Sequence, residues 1–538
     1  MLFNKLQKYW HTIKYQKKKQ ILNRLFRKFR KINSFDPKSL KLRKPKDVFN
    51  CLNLNQQSIH DKHTYNFLND TKIIHDWNCN KYSKLWLYNL HYFNDLTSQN
   101  SDLRIEWHRE LIEKWIDENP ESHGTGWEPY PISIRTINWI KWNLNHNLFN
   151  EKEHRSLSIQ INTLFQTLET HLLCNHLFAN AKALLFAGLY FQGTVADKWL
   201  RKSIQILKQE IKEQIHPDGG HIELSPMYHA VVLSDMLDIL SIVDTYKLEV
   251  CLDLELTIRD RLPSMLTWLA DLSHPDGEIA LFNDSAIGIY PTEKQLRIAA
   301  EGFNISPLIN SDSSLAVYPN SGYFNLRYLS AVLIGDVGNI GPDYNPGHAH
   351  ADTLSFELSI FGSRFLVNSG TSTYENNELR YYQRGTKAHN TVCLDNLNSS
   401  EVWGAFRVAR RAKPKDLVID KKNMSICCSH DGYMRLKKKQ VHKRSWTTKK
   451  NSITIKDEIK GTFKSAEVRF HVHPDWVFNK TKNILTFKNK MKIIQIEILK
   501  GKHLIEQTYY YPSFGVKLKN SVLRIMPIDN TTMVKIYW

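Results

Sequence analysis

The hydrophobic repeat of this chain changes period near residue 310, and that change restricts the fold more than any single motif. Between about residues 60 and 300, apolar side chains recur at helical spacing in DLRIEWHRELIEKWIDEN, PISIRTINWIKWNLN, NAKALLFAGLYF and HAVVLSDMLDILSIVDTY. Connectors such as ENPESHGTGWEPYP, HPDGG and HPDGE carry turn signals. After about residue 315 the runs are short and β-rich, among them YLSAVLIGDVG, TLSFELSIF, HNTVCLDN, AEVRFHVHP and MKIIQIEIL. The pattern predicts an α+β multidomain chain. A basic arm occupies residues 1–55, antiparallel helix pairs residues 56–310, and an antiparallel β-sandwich residues 311–538, with a cleft between the last two.

Charge narrows the partner class. The chain carries +19, and residues 1–50 alone hold 16 Lys or Arg against two Asp. That run reads as a solvated basic arm or as a basic amphipathic helix in peripheral contact with an anionic membrane. The remainder is mildly basic, which suits an acidic polymer. Beyond residues 1–50 nothing supports nucleic acid as a partner. Seven scattered cysteines without framework spacing read as reduced thiols. With no signal peptide and no long apolar run recognised, the expected location is cytoplasmic or peripheral to the inner membrane. The sequence says nothing of oligomeric state.

Four stretches place polar residues where regular elements begin. In YNPGHAHADTLSFEL (344–358), alternation from Leu354 onward predicts a half-buried strand, and its parity runs back through Asp352, His350 and His348. CNHLFANAKALLFAGLYF (174–191) puts Asn175 and His176 before an apolar helix, although Asn175 alone also suits a helix cap. HPDGGHIELSPMYHAVVL (216–233) puts Tyr228 at a helix start, and LRYYQRGTKAHNTVCLD (379–395) carries Arg380, Arg384 and His389. Together they suit β-elimination at a 4-linked uronic acid. Donors neutralise the carboxylate, a base takes the C5 proton and an acid protonates the departing O4. Arg380, Arg384, Trp127 and Glu223 are candidate substrate contacts. Glycoside hydrolysis would need a carboxylate pair, for which Glu223, Asp276 and Asp284 are available.

The chain resembles the heparinase II/III-like polysaccharide lyases, which are related in design to oligo-alginate lyases. The resemblance is carried in order, over roughly residues 80 to 415, by LWLYNLHYFNDL, GWEPYPISIRTINWIKW, NHLFANAKALLFAGLYF, DGGHIELSPMYH, ALFNDSA, GHAHADTLSFEL, LVNSGTSTYE, AHNTV and SEVWGAFRVARRA. It implies an N-terminal incomplete (α/α) toroid followed by a C-terminal antiparallel β-sandwich, acting on an acidic polysaccharide. It implies Asn175 as the carboxylate-neutralising amide, with His176 beside it as an assisting group or base. Tyr228 is implied as acid or acid/base and His348 as a catalytic histidine. It also implies a structural zinc on His350, His389 and the residue at position 368. That position is Asn368 where the family pattern has aspartate, and a neutral amide is a poor zinc ligand. Capsule or exopolysaccharide metabolism is an expected setting. Two other readings are a uronyl C5-epimerase, which shares the proton abstraction, and a catalytically silent binder of acidic glycans.

Overall fold

In a computed structural model of the chain, residues 2–538 are described apart from 28, 29, 34, 36, 38, 39, 309–313, 482 and 483. Two short helices come first, α1 (Leu2–Ile13) and α2 (Lys18–Phe26). The toroid follows, with α3 (Lys84–Tyr92), α4 (Ile105–Glu118), α5 (Pro129–His146), α6 (Glu151–Thr167) and α7 (Cys174–Tyr190). It continues through α8 (Thr194–Gln214), α9 (Pro226–Tyr246), α10 (Leu252–Asp271) and α11 (Glu293–Glu301). A last helix, α12 (Glu378–Arg384), lies within the sheet domain.

The toroid's helix starts are written locally. Pro129 opens α5, Ser225 caps α9 ahead of Pro226, and Asn150 with Glu153 forms a capping box on α6. Helix α7 is buried at every position but His176 and packs against α5, α6, α8 and α9, so it forms the hub of the toroid. Helix α9 is the one described helix long and apolar enough to cross a membrane, and its apolar stretch is 89% buried inside the protein.

The second half is two antiparallel sheets. The outer sheet has eight strands from Pro414–Asp420 to Thr531–Tyr537, and the inner sheet has nine, including Phe356–Ile360, Ser363–Leu366 and Ala466–Val472. Outer strands such as Ser452–Lys460 alternate buried and exposed residues, as expected for a sheet with one face in water. Strands Phe356–Ile360 and Ala466–Val472 are buried at every position. The inner sheet is therefore the middle layer of three. Phe324, Phe356 and Phe470 meet Trp446 and its neighbours on one side. On the other side Glu357 and Ser359 bind His274, just past α10, at 2.8 and 2.7 Å. This corrects the half-buried strand expected from Leu354. Its polar residues face the toroid, and the strand begins only at Phe356.

The solvated arm is a second correction. Helices α1 and α2 lie across both domains. Thr12 Oγ1 donates to Val408 O at 3.2 Å, Tyr9 packs edge-on against Trp403, Lys17 pairs with Glu213, and Arg27 Nη1 lies 2.7 Å from His171 Nε2. Leu6, Trp10, Leu25 and Phe26 stay exposed. All seven cysteines are free thiols.

Candidate active site

A cleft of about 430 Å³ opens where the toroid meets the sandwich. Asn175, His176, Tyr228 and His348 all line it, together with Tyr88, Tyr130, Tyr290 and Tyr374. The sequence places these four side chains on three separate segments, and the fold brings them together.

The start of α7 holds the first two. Leu173 and Cys174 both have positive φ, 66° and 50°, a left-handed entry that costs strain for side chains with a Cβ. The entry turns Asn175 away from capping and onto Glu223. Its backbone N–H reaches Glu223 Oε1 at 3.1 Å and its Nδ2 lies 3.1 and 3.0 Å from the two carboxylate oxygens. His176 Nδ1 meets Glu169 Oε1 at 3.1 Å, and its ring packs at a tilt against Tyr130, 4.6 Å between centroids. Burial works to lower the His176 pKa, but the Glu169 carboxylate outweighs it and raises the pKa above the ordinary imidazole range.

The loop after α10 organises the rest. Asp284 is fully buried and accepts from His348 Nδ1 at 2.9 Å, from His350 Nε2 at 2.8 Å and from both terminal nitrogens of Arg380. Burial would raise its pKa. Arg380 and the two histidines instead hold Asp284 well below the usual carboxylate range. An ionised carboxylate only accepts, so His348 carries its proton on Nδ1 and its Nε2 is the free position. That Nε2 lies 3.7 Å from Glu223 Oε2, beyond hydrogen-bond range. The same loop seats α9: Ser225 Oγ donates to Asp284 O at 2.7 Å and accepts from Tyr228 N at 3.2 Å. Tyr228 then packs its ring 3.9 Å from that of His348, centroid to centroid, with its hydroxyl 3.1 Å from Tyr374 Oη. Burial, Tyr374 and Asp284 push the Tyr228 phenol well above its ordinary range.

The four residues taken as substrate contacts are placed elsewhere. Arg380 is buried on Asp284, and Arg384 donates to Ala349 O at 2.9 Å and Gly404 O at 3.0 Å, which ties down the His348 loop. Trp127 is 8% exposed, packed on Trp115, with its indole N–H on Asn119 O. Glu223 is 2% exposed and faces Asn175 rather than the cleft. Of the hydrolysis candidates, Asp284 is enclosed and Asp276 binds Arg364. The one carboxylate among the cleft-lining residues is Glu375.

His350, Asn368 and His389 do converge. The two rings lie 5.2 Å apart, and His389 Nδ1 is 3.1 Å from Asn368 Oδ1. Burial lowers the pKa of His350 to about 4 and that of His389 well below the ordinary range. His350 Nδ1, His389 Nε2 and Asn368 Nδ2 are buried without hydrogen-bond partners. Two imidazole lone pairs suit a metal, but the third side chain has its oxygen on His389 and offers an N–H instead of a lone pair. Among the described residues no three His, Cys, Asp or Glu side chains stand where they could hold a metal. The donor set does not fit a structural zinc. Among the described residues Asp352 does not complete a metal-holding group with them; burial raises its pKa to about 6 and, with the Asp352 charge, that of Asp336 well above the carboxylate range.

The family described as Heparinase II/III N-terminus matches residues 3–306, and Heparinase II/III-like, C-terminal matches residues 310–538. A heparin-sulfate lyase of Pedobacter heparinus is 30% identical over 250 residues, 42% of this chain and 36% of that protein. One from Bacteroides stercoris is 25% identical over 319 residues, 54% of this chain and 44% of that protein. The chain thus spans less than half the length of these curated relatives. A solved structure, "Crystal Structure of Heparinase III", has a TM-score of 0.67 at 20% identity, covering 86% of this chain and 79% of that one. The Streptomyces coelicolor chondroitin AC lyase has a TM-score of 0.52 at 8% identity, covering 84% and 74%. At these identities the structural likeness establishes the toroid-plus-sandwich fold.

Proposed function

The chain belongs to the heparinase II/III family, and from that premise we propose that it is a polysaccharide lyase cleaving a uronate-containing glycan by β-elimination. The observation that carries this reading is the Tyr228–His348 stack in the cleft wall, with the His348 tautomer fixed by Asp284. His348 Nε2 accepts the C5 proton. The C5 electrons form the C4–C5 double bond as the C4–O4 bond breaks, and Tyr228, kept protonated by its raised pKa, gives its proton to O4. The negative charge that develops on the uronate carboxylate lies against the side chains of Asn175 and His176. Asn175 Nδ2 is oriented by both Glu223 carboxylate oxygens, and the side chain lines the cleft where the substrate carboxylate would lie. No step runs through a metal.

The curated relatives are heparin-sulfate lyases, which supports a lyase in general. The particular uronic acid is settled by experiment. Heparan precursors, hyaluronan, chondroitin and alginate are offered to the enzyme, and the ultraviolet absorbance of the conjugated C4–C5 double bond is followed. A rise with one polymer supports the reading and names the substrate. Deuterium entering C5 in heavy water, with no absorbance rise on any polymer, replaces the lyase by an epimerase.

A further inference from the structure

A second cavity, of about 650 Å³, continues from the first: Leu172, Asn345, Gly347 and Phe406 line both. Its far walls are α1 and α2 on one side and residues 404–408 of the sandwich on the other. None of its lining residues is Asp or Glu, while Arg24, Arg407 and His171 all face it. Arg24 and Arg407 are exposed, and neither forms an ion pair with a carboxylate among the described residues. The Arg407 guanidinium is held in place by the rings of Tyr9 and Trp403, 5.5 and 4.8 Å from their centroids. The walls are fixed, because α1 and α2 are anchored to Val408, Glu213 and Tyr344. Cations gathered in a concave site without counter-charge attract an anion, and planar guanidinium groups match carboxylate or sulfate oxygens in pairs.

We propose that this second cavity is an anion-binding subsite that holds an acidic sugar of the glycan, several residues along from the linkage at Tyr228. It deepens the lyase reading and takes from it the identity of the ligand as a glycan. Continuity with the cleft makes one extended chain the occupant of both cavities.

The test is binding without turnover. Tetrasaccharides and decasaccharides of heparan sulfate, chondroitin sulfate and hyaluronan are titrated calorimetrically into the full chain carrying Tyr228→Phe. Adding Arg24→Gln and Arg407→Gln is expected to weaken the tightest decasaccharide by about tenfold or more and its tetrasaccharide by less than about threefold. It should also flatten the dependence on salt. Arg24→Glu alone, at an exposed position with no ion pair to lose, should reproduce the loss with an unchanged melting temperature. Equal affinities with and without both arginines, an equal loss for both lengths, or no binding by any decasaccharide overturns the proposal. If wild type releases no unsaturated product while the arginines still govern decasaccharide affinity, the lyase reading falls and the subsite stands. If product forms and the arginines are without effect on binding, the subsite falls and the lyase reading stands.

Discussion

That Asn175, His176 and Tyr228 lie in the first turns of helices was legible in the chain, while His348, in the loop ahead of Phe356–Ile360, was singled out by a stretch resembling a known family. What the sequence hid was burial. Arg380, Arg384, Glu223 and Trp127 have side chains typical of a binding surface, yet each is enclosed and fixes the position of something else. No linear pattern reveals that Arg380 lies against Asp284, 96 residues away. Asn368 is the opposite case, since the departure from aspartate was visible and the structure supplies its consequence. The chain should purify with well below one zinc per chain. Asn368→Asp, which puts a carboxylate oxygen where Nδ2 now stands, should raise the zinc content toward one by elemental analysis. Stoichiometric zinc in the wild type would contradict this. His176 gives a second residue-level prediction. Its raised pKa means that pairing with Glu169 stabilises the fold fully below the ordinary imidazole range and that this contribution is lost as pH rises through the raised value. The His176 ring titration followed by NMR should have its midpoint above 6.5 in the wild type and shift downward in Glu169→Gln.

Among the elements, the long toroid helices could be read from period and capping alone, since their apolar faces match the core they enter. Helices α1 and α2 could not. They are short and dense in lysine and arginine, and isolated helices of that length are marginal in water. Their order comes from contacts with residues 171, 213, 344 and 403–411, which no local signal foretells. The inner strands misled in the same way: alternation suggested one wet face, and the toroid covers it. One outer-sheet cluster ties these layers to the site. Arg444 binds Asp457 at 2.7 Å and donates to Leu354 O at 2.7 Å and to Asn390 O, the loops that follow His350 and His389. Burial would raise the Asp457 pKa, but Arg444 and His442 hold it at about 2. Its stabilising contribution is therefore present above the ordinary carboxylate range and is lost as pH falls toward 2. Arg444→Ala leaves that carboxylate buried with His442 and Thr532 but without its guanidinium partner. It should cost about 3–5 kcal/mol, read as a lower thermal midpoint of the sandwich. An unchanged midpoint would show that the cluster does not support the fold.

At the scale of the whole molecule, the site exists only because two domains meet. The toroid brings Asn175, His176 and Tyr228, and the sandwich brings His348. Asp284, on the loop leaving α10, binds the sandwich histidines with its side chain and the Ser225 cap of α9 with its backbone. Sequence texture announced the two domains and the cleft between them. It could not announce the hydrogen bonds that set one domain against the other, because these join residues 59 to 96 positions apart. The central claim is that proton transfer is divided between Tyr228 and His348 across that seam. It is tested most directly by the initial rate of double-bond formation, on the polymer that wild type cleaves, for Tyr228→Phe and His348→Ala with unchanged melting temperatures. The account predicts that each rate falls by about 10²–10⁴-fold. A Tyr228→Phe or His348→Ala enzyme that keeps more than about a tenth of the wild-type rate would contradict it.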